Sequence, residues 1–236
     1  MKYINMADRV KSDNQPEILL TMIDLSGSMF ADDIKPNRKE AAVRANEEIV
    51  RVKKQSYPTD KIGVISFQAT AKLSLSPKCS SDIGKLSGII DDTGLEGGTD
   101  FTAPLELAYN YFAGKPVKSG NSPIKKMLSS IFFEQSIDNY TSIRNENDNS
   151  IKRIILLTDG EHLGGISPID IANKLKSIGV TIDCIGIGGS PMEVDEKLLK
   201  QIASRNPDGS IRYCFIGDQQ KLLKKYRSLA HHIRAI

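Results

Sequence analysis

A chain of 236 residues with 39% hydrophobic and 26% charged side chains is long enough to bury an α/β core without disulfide staples, and too apolar to be a disordered tail. Its 32 Lys and Arg stand against 29 Asp and Glu, and the resulting +3 is spread along the chain instead of forming the basic runs of a nucleic-acid-binding tail. No stretch approaches the roughly 20 apolar residues of a membrane span, and residues 1–14 lack the apolar centre of a secretory signal, so no nucleic-acid or membrane partner is expected and the expected location is cytoplasmic.

Residues 1–15 are polar and read as a flexible lead-in, and residues 16–236 read as one domain with an insertion at 114–150. Apolar runs predict buried strands over residues 18–23, 62–67, 154–157, 180–187 and 211–215. Residues 70–75 follow Phe67 after only Gln68 and Ala69, a gap too short for a parallel crossover, so they should pair antiparallel as an edge strand. Helix periodicity marks residues 38–54, where Ala42, Ala45, Ile49 and Val52 share one face and Arg44, Glu47 and Arg51 turn away. The pattern repeats over residues 101–113, 168–178 and 195–204, with Ser167 as a helix cap and Pro168 at the first helical position. Leu222, Tyr226, Leu229 and Ile233 form the stripe of a closing core helix. Within the insertion, Ser122-Pro123 starts a helix bearing Ile124, Met127, Leu128, Ile131 and Phe132, and the polar residues 139–150 follow as a mobile loop. Cys79, Cys184 and Cys214 include no CxxC pair and read as buried reduced thiols.

Strands alternating with helices predict an α/β fold: a doubly wound, Rossmann-like, mostly parallel sheet with one antiparallel edge strand and helices on both faces. A ligand site in such a sheet lies beyond the carboxyl ends of the strands. There the first strand runs into Asp24-Leu25-Ser26-Gly27-Ser28, whose three oxygen-bearing side chains can face one point, the arrangement a hard divalent cation wants. Asp and Ser after a strand are also ordinary turn and capping residues. Two further strand-end loops, Gly97-Gly98-Thr99-Asp100 and Thr158-Asp159-Gly160, offer Thr99 and Asp159 at the same edge.

Asp24, Ser26 and Ser28 at alternate positions, with a separate Thr99 and a separate Asp159, resemble the metal-ion-dependent adhesion site (MIDAS) of the von Willebrand factor A domain family, and the order of segments matches as well. The resemblance implies that Ser26, Ser28 and Thr99 coordinate Mg²⁺ or Mn²⁺, with Asp24 and Asp159 bound directly or through water. It also implies that a Glu or Asp of a protein partner completes the metal's coordination. Three neutral hydroxyls and at most two carboxylates leave a cation able to attract a further anionic oxygen. Within the family the chain looks most like intracellular bacterial members, including stand-alone proteins associated with tellurite resistance. The oligomeric state is open.

Catalysis by the same site, as a metal-dependent hydrolase or phosphatase, is the alternative. The G-x-S-x-G elbow of serine hydrolases is missing, and Ser26 stands where a dehalogenase-type phosphatase needs an acidic Asp, so a binding protein rather than an enzyme is expected. His162 reads as a solvated loop histidine, Glu161 as a surface charge, and Gly186-Ile187-Gly188-Gly189 as a tight strand-end turn lacking the GxGxxG order of a dinucleotide site.

Overall fold

A computed structural model describes residues 15–92, 94–95, 97–115 and 149–231. The helix and loop expected in the insertion fall mostly outside them, as do Ile233 and nearly all of the lead-in. Six strands form one sheet, β1 (Glu17–Asp24), β2 (Lys61–Phe67), β3 (Ala71–Cys79), β4 (Ile151–Thr158), β5 (Val180–Ile187) and β6 (Tyr213–Ile216), in the order β3-β2-β1-β4-β5-β6. All neighbours are parallel except β2 and β3, the antiparallel edge pair that the two-residue gap demands.

Both faces are covered. Leu19 and Ile23 of β1 pack toward α1 (Arg38–Ser56) and α5 (Gln219–Leu229). Ile18, Leu20 and Met22 pack toward α2 (Thr102–Phe112), α3 (Ile169–Ser177) and α4 (Glu196–Ile202). A strand apolar on both sides is thereby buried on both sides. In α1, the Asn37 side chain caps the helix by accepting from the Glu40 amide at 2.7 Å, and Ala42, Ala45, Ile49 and Val52 reach the core. Glu47 is the exception to the expected outer face: its Oε1 accepts from the amides of Leu86 and Ser87 at 3.2 and 3.3 Å.

Several boundaries differ from the sequence expectation for identifiable reasons. β4 begins three residues early because Arg153 is buried against Asp183 (Nε to Oδ2, 2.7 Å) instead of ending the strand in solvent. β3 runs on through Ser76, Pro77 and Lys78, with a register irregularity against β2, because an edge strand need not be apolar. Ile211 is held in an isolated antiparallel bridge to Arg205, so β6 starts at Tyr213. Pro168 stands one residue before α3, and Ser167 Oγ accepts from the Ile169 amide at 3.4 Å. Only Cys184 of the three free thiols is fully buried.

At the amino ends of the strands lies a buried ion cluster. The Lys53 ammonium donates to Glu17 Oε2 and to Asp60 Oδ2, both at 2.6 Å, with all three side chains withdrawn from water. Among the described residues no helix is long and apolar enough to cross a membrane.

Candidate metal centre

At the opposite, carboxyl edge of the sheet, β1 ends on Asp24 and the chain turns through a short 3₁₀ turn, Gly27–Phe30. Asp24 has no exposed surface. One oxygen accepts from the Ser26 amide at 2.8 Å, and the other from the Thr158 hydroxyl at 2.6 Å. Thr158 ends β4, so that bond ties the two strand ends together. Ser26 Oγ and Ser28 Oγ stand 3.1 Å apart, and Ser28 Oγ donates to Asp159 Oδ1 at 2.7 Å. Four of the five residues singled out from the sequence are therefore joined by one run of hydrogen bonds. Thr99, the fifth, is buried in the loop before α2, where its Oγ1 lies 3.5 Å from the position a Cβ on Gly160 would take.

The electrostatics suit a cation. Burial pushes the Asp24 carboxyl up to about 6, against the pull of hydrogen bonds from Thr158 and Ser26. Burial also raises Asp159, with Arg38 and Ser28 opposing. Two carboxylates out of water and only partly compensated are groups that a divalent ion would stabilise. Among the described residues no group of three His, Cys, Asp or Glu side chains is placed to hold a metal, so a cation here would depend on the serine and threonine hydroxyls. Oxygen donors of this kind select hard ions. The residues present fit such a group.

Arg38 went unrecognised in the sequence. Its Nη1 donates to Asp159 Oδ2 at 2.9 Å, its Nε and Nη2 clamp Asp33 at 2.8 and 2.7 Å, and Nη2 also bonds Glu193. An arginine at the first position of a helix opposes the macrodipole, and that local misfit is the signal that could have marked it as bound to acids. The cluster explains the glycines after β5. A Cβ on Gly188 would lie 2.9 Å from Glu193 Oε2 and 3.5 Å from the Arg38 guanidinium, so the absence of a side chain here leaves room for the ion pairs.

His162 departs from its expected solvated state. Its side chain is 9% exposed, its Nδ1 accepts from the Phe101 amide at 3.1 Å, and its ring lies 5.4 Å from that of Phe101. With Nδ1 accepting, Nε2 carries the proton and donates to the Ile166 carbonyl at 3.0 Å. Glu161 is exposed, as expected.

The profile of the von Willebrand factor type A domain matches residues 19–162. The uncharacterized protein YfbK of Escherichia coli (strain K12) is 25% identical over 223 residues, which cover 92% of this chain and 32% of that protein. Among solved structures, proximal thread matrix protein 1 from the mussel byssus, with zinc occupied MIDAS motif, aligns with a TM-score of 0.60 at 24% identity over 92% of this chain and 48% of that one. A von Willebrand factor type A structure from Catenulispora acidiphila aligns with a TM-score of 0.61 at 20% identity over 92% of this chain and 42% of that one. The chain thus spans about a third of the bacterial relative and less than half of either structure. The structural likeness establishes the fold, and the profile match extends over more than half of the sequence. The chain belongs to the von Willebrand factor type A domain family.

Proposed function

We propose that this chain is a metal-dependent protein-binding module. Ser26, Ser28 and Thr99 would hold Mg²⁺ or Mn²⁺, Asp24 and Asp159 would ligate it directly or through water, and the ion would supply an electrophilic position for a Glu or Asp of a partner protein. The observation that carries this reading is the run of hydrogen bonds linking two buried carboxylates at the ends of β1 and β4: Asp24 accepts from the Ser26 amide, Ser26 Oγ stands against Ser28 Oγ, and Ser28 Oγ donates to Asp159. The zinc in the MIDAS motif of the mussel protein supports a divalent metal. The Escherichia coli relative supports a bacterial setting, and a cytoplasmic location and a resistance role of the tellurite type belong to the same proposal.

Among the described residues the Ser28–Asp159 hydrogen bond is the feature that favours a hydrolase, since it could pair a nucleophile with a base. Arg38 holds the other oxygen of Asp159, so both carboxylate oxygens are already engaged, and both nitrogens of His162 are engaged by backbone groups. These engagements support binding over catalysis.

Calorimetric titration with Mn²⁺ tests the site. The parent chain should bind one ion and Asp24→Ala should not. Equal binding by the two proteins would remove the metal assignment. Phosphatase and esterase assays with Mg²⁺ test the rival, because turnover that disappears in Ser28→Ala would establish an enzyme.

A further inference from the structure

Large apolar side chains standing in solvent are unevenly distributed over the described residues. Phe30, Leu163, Ile166 and Met192 are 52%, 72%, 70% and 91% exposed. All four belong to loops leaving the carboxyl ends of β1, β4 and β5, the loops that carry Ser26 and Ser28, Asp159, and Glu193. A single exposed apolar residue needs no explanation, but a set confined to the loops around one polar site does.

The loop bearing two of them is held in place. The Leu163 amide donates to the Thr99 carbonyl at 2.8 Å, and the Ile166 carbonyl accepts from both the Thr102 hydroxyl at 2.7 Å and His162 Nε2 at 3.0 Å. His162 and Asp100 also crowd Gly164, where a Cβ would lie 2.5 Å from the imidazole Cε1 and 2.6 Å from the Asp100 carboxyl carbon. The imidazole is thus a spacer under the loop that leaves Leu163 and Ile166 facing water. A fixed apolar display loses little entropy when it binds. Across the site, the Lys39 ammonium lies 5.0 Å from the Phe30 ring centroid, placing a cation on the same rim.

We infer that Phe30, Leu163, Ile166 and Met192 form an apolar collar around the metal position, and that its occupant is a partner segment whose carboxylate is flanked by large apolar side chains. The inference rests on the carboxylate-recruiting reading of the site. Charge complementarity selects the acid: a divalent ion and Lys39 attract a carboxylate, whereas the collar offers the flanking residues a surface to bury. Burial of apolar flanks adds affinity that a carboxylate exposed to solvent cannot supply.

The experiment uses fluorescence anisotropy with the parent chain in Mn²⁺ and three labelled short peptides: one Glu flanked by Leu, one Glu flanked by Ser, and Gln flanked by Leu. The Leu-flanked Glu peptide should bind about tenfold tighter than the Ser-flanked one, and the double variant Leu163→Ser, Ile166→Ser should erase that difference while leaving Mn²⁺ affinity and the Ser-flanked peptide unchanged. Equal binding of the two Glu peptides to the parent overturns the collar and leaves the metal reading standing. Equal binding of Glu and Gln peptides, or of none, overturns the carboxylate-recruiting reading itself. Self-association of the parent that is lost in the double variant would assign the collar to a second copy of the chain.

Discussion

Arg38 Nη1 donates to Asp159 Oδ2 at 2.9 Å, so a guanidinium holds the oxygen opposite the one bonded by Ser28 in one of the two carboxylates of the proposed metal site. The contact orients Asp159 while Ser28 holds its other oxygen, and it adds positive charge close to where a cation would sit. Arg38→Met should therefore have two opposite effects. The metal-free protein should melt lower, because Asp159 is left buried without its counter-ion. Mn²⁺ should bind tighter, by about tenfold, because a repelling charge is gone. Thermal melts with and without Mn²⁺ read both effects, and weaker binding by the variant would show that orienting Asp159 outweighs the repulsion.

Thr158→Val removes the hydroxyl that fixes Asp24 at nearly constant volume. Loss of a hydrogen bond that orients a ligand typically costs about 10–100-fold in metal affinity. Titration with Mn²⁺ should show a drop of that order with the circular dichroism spectrum unchanged. An unaltered affinity would mean that the Ser26 amide alone orients Asp24.

Lys53 lies at the other end of the sheet, and Lys53→Met should destabilise the fold by roughly 3–5 kcal/mol because it removes the shared counter-ion of the buried Glu17 and Asp60 carboxylates, with Arg153 Nη1 left 3.6 Å from Glu17. Metal affinity should not change, since the cluster and the metal position are at opposite strand ends. Chemical denaturation and Mn²⁺ titration of the same sample check the pair of statements.

Glu48 joins α1 to α5 through Arg227 while accepting two bonds from Arg51, at 2.9 and 2.7 Å. The Arg51 guanidinium first, then Arg227, holds its carboxyl down to about 2 from an ordinary 4.5, despite partial burial. A carboxyl depressed on folding stabilises the native state fully above the unfolded value and loses that contribution as pH falls through the folded one. Glu48→Gln should cost about 1 kcal/mol near pH 7, a modest figure because both arginines are more than half exposed, and the two proteins should converge in stability between pH 4.5 and about 2. Urea unfolding across that window gives the answer.

The sheet and the helices facing it were legible because burial on both faces of a strand and on one face of a helix leaves a periodic apolar pattern. The antiparallel pairing of β3 followed from chain length alone. What escaped was burial of charge. Lys53, Arg38 and Arg153 look like solvated side chains in sequence, and nothing local announces that Asp60, Asp159 or Asp183, up to 121 residues away in the Arg38 pair, will meet them. Ser26 and Ser28 of the candidate site were readable because they follow the end of β1, whereas Thr99 lies 20 residues past the end of β3, in the loop before α2, and is not at the strand end expected of it. Arg38 was not readable, because it opens a helix whose amphipathic pattern begins after it.

The two borders of the sheet bear on how the molecule meets other chains. β3 carries Lys72, Pro77 and Lys78 and breaks register against β2, while β6 has only four residues. Pro77 has no amide hydrogen to offer, and lysines on an outer strand repel a copy of themselves. Neither border is a good template for adding a foreign strand. Addition of a foreign strand at either described border is therefore disfavoured, and the recognition proposed for the loops would rest on side chains, where a few substitutions can change a partner without disturbing the hydrogen-bonded frame.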